Sequence, residues 1–200
     1  MTTIIDYGMG NLRSVEKAIA AIGGQPRISA DPEVVRTSER LILPGVGAFG
    51  DAMENLRRSG LDRATLQAVD GGTPLLGLCL GLELLFTESD EFGHHKGLNL
   101  IPGRVRRFEG ADLRVPHVGW NQIESLRQDP LLEGISEGTY FYFVHSFFVE
   151  PEGPYALSLT NYGHPFCSIA RRQSVWGAQF HPEKSQEAGK RLLRNFLKIA

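Results

Sequence analysis

The sequence has little cysteine, no long apolar run and no large net charge, and each absence removes a class of protein. Cys79 and Cys167 are the two cysteines among 200 residues and stand in different contexts, so a disulfide scaffold is not needed and a cytoplasmic location is expected. No apolar run approaches the length of a membrane span, and the first residues lack the pattern of a signal peptide. Because the net charge is −2 with both signs mixed, neither nucleic acid nor a membrane is expected as a partner.

The composition, with 42% hydrophobic and 22% charged residues, is typical of a folded domain, and we expect one domain over residues 1–200. In the first half, apolar segments alternate with stretches of helical spacing, which predicts a parallel sheet with helices on both faces. Strands are predicted near residues 3–6, 26–29, 40–43 and 75–78, and helices near residues 12–22, 48–56 and 61–69.

The second half is rich in strand-like segments joined by Gly, Pro and Asn turns, which favours antiparallel hairpins added to the same α/β sheet. These strands are predicted at residues 105–108, 121–124, 140–149, 155–160, 166–170 and 175–180, before a closing helix over residues 186–199.

A cysteine elbow is the sharpest local feature. Residues 77–81 read Gly-Leu-Cys-Leu-Gly, after an apolar strand and before a helical pattern from Leu80 to Phe86. The flanking glycines indicate a strand-to-helix turn too tight for a Cβ, which exposes Cys79 as a nucleophile. We expect the helix N-terminus to lower the pKa of the Cys79 thiol, and the Leu80 N–H to face a developing oxyanion. The simpler alternative is a buried cysteine in a glycine-rich turn.

A base for this thiol is offered by His181, at the end of the apolar strand that precedes it. Pro182 turns the chain out of the strand, and Glu183 can reach back to orient the imidazole. Taken alone, His181 could equally be a surface histidine. Together with a cysteine elbow, the pair indicates acyl transfer.

The glycine-rich segment 44–50 (PGVGAFG) matches G-x-G-x-x-G after a strand, so a dinucleotide site has to be considered. That fingerprint needs an acidic residue ending the next strand, and here the following stretch is helical. We therefore favour a strand whose N–H groups, at Val46 and Gly47, complete an oxyanion hole opposite Leu80.

Other candidates are weaker. His94 and His95 lack further ligands at useful spacing, so a solvated loop is expected rather than a metal site. Cys167 reads as a small core residue. His145 and Ser146 interrupt the apolar run 140–148, which suggests a functional role for them.

These motifs resemble the class I, or triad, glutamine amidotransferases. Within that family, the chain is similar to the glutaminase subunits of imidazole glycerol phosphate synthase. The resemblance covers nearly the whole chain and rests on residues 6–11 (DYGMGN), 43–50 (LPGVGAFG), 116–121 (PHVGWN), 143–146 (FVHS) and 179–185 (QFHPEKS).

The resemblance implies a flavodoxin-like sheet, a Cys79–His181–Glu183 triad and no metal or organic cofactor. It implies hydrolysis of glutamine to glutamate and ammonia. The ammonia would pass to a (β/α)₈-barrel cyclase subunit, which forms imidazole glycerol phosphate and AICAR in histidine biosynthesis. The implied glutamine-binding residues are Gly47, Glu83, Glu91, Ser146 and Phe147, and the implied residues at the cyclase interface are Asn11, Trp120, Tyr142 and Lys184.

Two positions depart from the family pattern. Glu83 stands where glutamine is common, one helical turn after Cys79, where its carboxylate would oppose a thiolate unless it points away or donates as an acid. Phe147 stands where tyrosine is common. Rival functions are a glutaminase of another pathway, such as pyridoxal phosphate or anthranilate synthesis, a γ-glutamyl hydrolase, a cysteine peptidase of similar topology, and an inactive partner-binding subunit.

Overall fold

Five parallel strands form the centre of the fold. The computed structural model describes residues 1–110, 113–124 and 126–199. The parallel strands lie in the order β2-β1-β3-β4-β13, which is the doubly wound order that places ligands at the carboxyl ends of the strands. Their bounds are β1 (Thr2–Ile5), β2 (Pro26–Ser29), β3 (Leu41–Gly45), β4 (Leu75–Cys79) and β13 (Val175–Ala178).

Helices cover both faces of this sheet and enclose two apolar cores, as predicted. Val15, Ile19 and Phe196 belong to the core on one face, and Leu56 and Leu61 to the core on the other. The first core lies under α1 (Leu12–Ala21) and α6 (Gln186–Lys198), and the second under α2 (Pro32–Arg36), α3 (Phe49–Ser59), α4 (Leu61–Asp70) and α5 (Leu80–Leu84).

The sheet continues from β13 into strands that are mostly antiparallel, which confirms the predicted mixed sheet. These strands are β12 (His164–Arg172), β11 (Ala156–Tyr162), β10 (Phe147–Pro151), β7 (Gly103–Arg107), β5 (Glu88–Ser89) and β6 (His95–Lys96). The strands β5 and β6 were not predicted, because two-residue strands carry no readable periodicity.

A separate hairpin of β8 (His117–Gln122) and β9 (Tyr140–His145) forms a second, two-stranded sheet. The single strand predicted over residues 140–149 is therefore wrong. The chain changes sheets at Ser146: His145 pairs with His117 of β8, whereas Phe147 pairs with Arg107 of β7. The strand predicted at residues 121–124 lies instead at residues 117–122.

Among the described residues, no helix is both long and apolar enough to cross a bilayer. The helix predicted from Leu80 to Phe86 is shorter than expected, since α5 ends at Leu84.

Candidate active site

The Cys79 elbow is built by close backbone contacts. Cys79 is the last residue of β4 and precedes α5, with φ 53° and ψ −112°, a conformation that L-residues rarely adopt. A Cβ on Gly81 would lie 1.8 Å from the Leu43 carbonyl oxygen, and a Cβ on Gly77 would lie 2.5 Å from the Gly81 carbonyl oxygen. The glycines on both sides of Cys79 are therefore required by space, as the sequence predicted.

The Cys79 thiol is buried, with 7% of the residue exposed, and its Sγ donates to the Val144 carbonyl at 3.6 Å. Burial raises the pKa of this thiol, and the charge of Glu83 raises it further, although a hydrogen bond from the Leu80 N–H lowers it. The predicted lowering of the Cys79 pKa is therefore wrong. The helix α5 is a single turn of five residues, so its dipole is too small to offset the loss of water around the sulfur.

His181 follows β13, the strand that pairs in parallel with β4, so it lies at the same sheet edge as Cys79. Its Nδ1 bonds Glu183 Oε1 at 2.9 Å, and both side chains are almost fully buried. Its backbone is also fixed, because its N–H donates to the Tyr142 carbonyl at 2.9 Å and its carbonyl accepts from Ser185 Oγ at 2.7 Å. The imidazole is thus held through Nδ1, and none of the described residues bonds its Nε2.

One cavity of about 340 Å³ brings the nucleophile and the histidine together. Among the described residues, Cys79 forms no hydrogen bond with His181 in this state, and Glu183 lies behind the imidazole. Apo enzymes often tighten such bonds only with substrate bound. The other predicted site residues that line the cavity are Val46, Gly47, Leu80, Glu83, Glu91, Ser146, Phe147 and Lys184.

Two carboxyl groups stand in this cavity. Glu83 Oε1 accepts a hydrogen bond from Gln179 Nε2 at 2.9 Å. Glu91 Oε2 accepts from the Phe49 N–H, the first of α3, at 2.7 Å. Burial raises the pKa of Glu83 to about 8 and raises that of Glu91 as well.

The glycine-rich strand end lies directly beside the elbow, since Gly45 pairs with Cys79. Gly47 has φ +102°, which favours glycine. The buried Tyr7 hydroxyl donates to the Pro44 carbonyl at 2.9 Å and so fixes the base of this segment. Sequence reasoning missed Tyr7, whose position after the first strand was the only signal. The placement fits an oxyanion strand better than a dinucleotide loop.

A buried pair of histidines was also missed. His117 Nδ1 bonds His145 Nε2 at 2.9 Å, and His145 Nδ1 donates to the Phe147 carbonyl at 2.6 Å. Burial lowers the pKa of His117 to about 4 and that of His145 to about 3, so both are neutral at pH 7. His145 was singled out from the apolar run, but its pairing with His117 depends on the register of β8 against β9.

The outer face of the β8–β9 hairpin is apolar and exposed. Trp120 is 46% exposed, and its ring lies 5.9 Å from that of Tyr142. Lys184 Nζ lies 6.0 Å from the Tyr142 ring centre. Three of the predicted interface residues thus lie together beside the cavity. Asn11 is the N-cap residue of α1, a helix that contacts the turn Pro182–Lys184.

Two weaker candidates behave as ordinary residues. His94 lies within 3.6 Å of Glu88 and 3.5 Å of Asp90. In the described part of the chain, no group of three or more His, Cys, Asp or Glu side chains could hold a metal ion. Cys167 is buried in the core, with its Sγ 3.3 Å from the Ile169 carbonyl.

Comparison with known proteins identifies the family. The model of the class-I glutamine amidotransferase family matches residues 3–200. The chain is 52% identical to the imidazole glycerol phosphate synthase subunit HisH of Syntrophotalea carbinolica over 98% of both chains. It is 44% identical to the HisH subunit of Chlorobium chlorochromatii over the full length of both.

Solved structures share the fold. A crystal structure of a glutamine amidotransferase aligns with a TM-score of 0.77 at 22% identity, over 98% of this chain and 97% of that one. The structure of PurLQS from Thermotoga maritima aligns with a TM-score of 0.77 at 18% identity, over 98% and 96%. At these identities the likeness concerns the fold alone, and it confirms the predicted flavodoxin-like architecture. From its family match and its close relatives, the chain belongs to the class-I glutamine amidotransferases.

Proposed function

We propose that this chain is the glutaminase subunit of an imidazole glycerol phosphate synthase, with Cys79, His181 and Glu183 as its catalytic residues. The glutaminase function is supported by relatives that carry this subunit name over nearly the whole chain. The assignment of the residues rests on one observation: the Cys79 thiol and a His181 ring oriented by Glu183 line the same cavity.

The raised pKa of Cys79 means that the resting nucleophile is a thiol, so its proton must leave as the sulfur attacks. His181 lines the cavity, and its Nε2, to which no described residue bonds, takes this proton. The Cys79–carbon bond forms at the amide carbon of glutamine, and the negative charge moves to the amide oxygen. Glu183 then faces an imidazolium, which its carboxylate stabilises.

The tetrahedral intermediate collapses when His181 returns the proton to the amide nitrogen and ammonia leaves. A glutamyl thioester remains on Cys79. Water, deprotonated by His181, attacks this thioester and releases glutamate with a free thiol. The Leu80 N–H and an N–H of Val46 or Gly47 would hold the oxyanion in both steps.

The cavity wall offers groups for the rest of the substrate. Glu91 is held by the Phe49 N–H and carries negative charge when ionised, which suits the α-ammonium group of glutamine. Ser146 lies where the chain changes sheets and lines the cavity with its neighbour Phe147. These two residues would contact the bound substrate.

A partner is expected on the outer face of the β8–β9 hairpin, since the relatives are named as subunits. Val118, Trp120 and Tyr140 are 56%, 46% and 53% exposed on this face. Such contiguous exposed apolar side chains mark interaction surfaces. We propose that the cyclase subunit covers this face together with Asn11, Tyr142 and Lys184. The cytoplasmic location stays a prediction.

The test is co-purification with the cyclase subunit, followed by assays with glutamine and with ammonium salts. Cys79→Ala should abolish glutamine-dependent synthesis of imidazole glycerol phosphate and leave ammonia-dependent synthesis within about twofold of wild type. Glutamate release should be negligible from the isolated chain and rise greatly with the cyclase and its substrate.

Cys167→Ala is the matched control, because it removes the other thiol from the core without touching the cavity. Retained glutamine turnover in Cys79→Ala would place the nucleophile elsewhere. Failure to bind the cyclase, with glutamine turnover intact, would favour a glutaminase of another pathway. A complex that forms but never uses glutamine would identify an inactive partner-binding subunit.

A further inference from the structure

Glu83 is a buried acid that no cation among the described residues neutralises. It is 4% exposed, lies one turn after Cys79 on α5 and lines the catalytic cavity. Among the described residues its one hydrogen bond comes from Gln179 Nε2, at 2.9 Å, and no Lys, Arg or His lies within ion-pair distance. A carboxylate buried with a single neutral donor is costly, because it loses its water and gains no compensating charge.

Only one end of the Gln179 side-chain amide has a hydrogen-bond partner among the described atoms. Gln179 is fully buried, and its Oε1 has no hydrogen-bond partner among the described atoms, although its Nε2 bonds Glu83. An ionised carboxylate can only accept and leaves this oxygen unpaired. A neutral carboxyl group can accept from Nε2 and donate its O–H to Oε1, so it complements both ends of the amide.

The negative charge of Glu91, which lines the same cavity, also opposes the ionisation of Glu83, and Glu83 in turn acts on the Cys79 sulfur. Burial is the largest cause of the raised pKa of Glu83, and it outweighs the hydrogen bond from Gln179, which acts in the opposite direction. The other titratable groups that face this cavity are His145, His181 and Lys184.

We propose that Glu83 and Gln179 form a neutral acid–amide pair, and that loss of the Glu83 proton at alkaline pH switches off the Cys79 nucleophile. Ionised Glu83 places a negative charge one turn from the sulfur, which raises the thiol pKa and opposes the charge of the attacking sulfur. Glu83 is therefore a pH-sensitive positioning residue. The inference rests on the proposed glutaminase function only for its effect on catalysis.

The first measurement is the pH profile of kcat/KM for glutamine, in the complex with the cyclase subunit, for wild type and Glu83→Gln. Each profile is normalised to its own maximum. The wild-type profile should fall about tenfold per pH unit above roughly pH 8, since one ionisation controls it. Glu83→Gln cannot ionise, so its falling limb should be absent or displaced upward by about one pH unit or more. If the two pH profiles of kcat/KM coincide above pH 8, the proposal is wrong.

The second measurement does not need glutaminase activity. The rate at which iodoacetamide alkylates Cys79 is followed by mass spectrometry from pH 6 to 10, in wild type, Glu83→Gln and Glu83→Met. Above roughly pH 8, where Glu83 ionises in wild type, the alkylation rate should rise less steeply with pH in wild type than in both variants. Equal pH dependence in all three proteins would contradict the inference. A steeper rise in both variants, in a protein whose complex with the cyclase subunit does not hydrolyse glutamine, would contradict the proposed function and leave the inference standing.

Discussion

The two halves of the candidate active site stand at the ends of neighbouring parallel strands, Cys79 after β4 and His181 after β13, and they are held in place by different means. Cys79 is placed by backbone fit, because the elbow closes only where Gly77 and Gly81 leave room for carbonyl groups. His181 is placed by hydrogen bonds: its ring donates to Glu183, its N–H donates to the Tyr142 carbonyl, and its carbonyl accepts from Ser185 Oγ. The nucleophile is therefore fixed by shape, and the base by polar contacts.

The two halves therefore tolerate different substitutions. Close-packed backbone cannot relax around an added atom, so substitutions of the elbow glycines act on folding as well as on chemistry. A side-chain hydrogen bond can be weakened without moving the backbone. Substitutions of the side chains that hold His181 should therefore act mainly on the rate of glutamine hydrolysis. Three predictions probe this comparison.

Gly81→Ala should have the largest effect. Its Cβ would lie 1.8 Å from the Leu43 carbonyl oxygen, so β3 and α5 would have to separate. We expect a loss of more than about 3 kcal/mol in the free energy of unfolding, measured by urea denaturation, together with loss of glutaminase activity. The control is Gly71→Ala, where φ is −76° and the nearest contact is 3.3 Å. Equal stability of the two variants would show that close backbone contacts at Gly81 do not hold the Cys79 elbow in place.

Glu183→Gln should reduce the rate and spare the fold. The amide keeps the shape and can accept from His181 Nδ1, but it cannot stabilise an imidazolium by charge. We expect kcat for glutamine to fall on the order of 10²-fold, in the complex with the cyclase subunit, with thermal unfolding little changed. Glu187→Gln, at an exposed acid on α6, is the control. An unchanged kcat would remove Glu183 from the mechanism.

The buried histidine pair should give a smaller effect, visible in acid. The folded-state pKa of His117, about 4, lies below its ordinary value of 6.5, so below pH 6.5 the unfolded chain takes up a proton that the folded chain refuses. Stability is therefore present above pH 6.5 and is lost as the pH falls towards 4. Between pH 7 and 5, the free energy of unfolding of wild type should fall about 2 kcal/mol more than that of His117→Gln. Parallel pH dependence in the two proteins would show that His117 titrates normally.

Short sequence motifs predicted those parts of the candidate site whose residues are close together in the sequence. The residues on either side of Cys79 and the run from His181 to Glu183 each carry their geometry within a few positions. The core helices were also predicted, because their apolar residues recur at helical spacing.

The parts that the sequence did not predict depend on long-range pairing. The pairing of Glu83 with Gln179 joins residues 96 positions apart, and that of His117 with His145 needs the register of β8 and β9. The break at Ser146 was missed because apolar residues stand on both sides of His145 and Ser146, a pattern that one continuous strand would also give. The raised pKa of Cys79 could not be predicted either, since burial of the sulfur depends on the strands packed around the elbow.

The close contacts among the elbow glycines affect how this segment of the sequence can evolve. Gly77 makes room for Gly81, Gly81 for Leu43, and Gly45 for Leu80, whose Cβ lies 2.8 Å from where a Cβ on Gly45 would be. Selection for a folded chain alone would therefore preserve these positions. In a duplicated gene freed from the need for ammonia, Cys79 could drift while the glycines stayed. A related protein that has the elbow glycines but lacks the cysteine would indicate such a duplication. The glycines by themselves would therefore not identify an active enzyme.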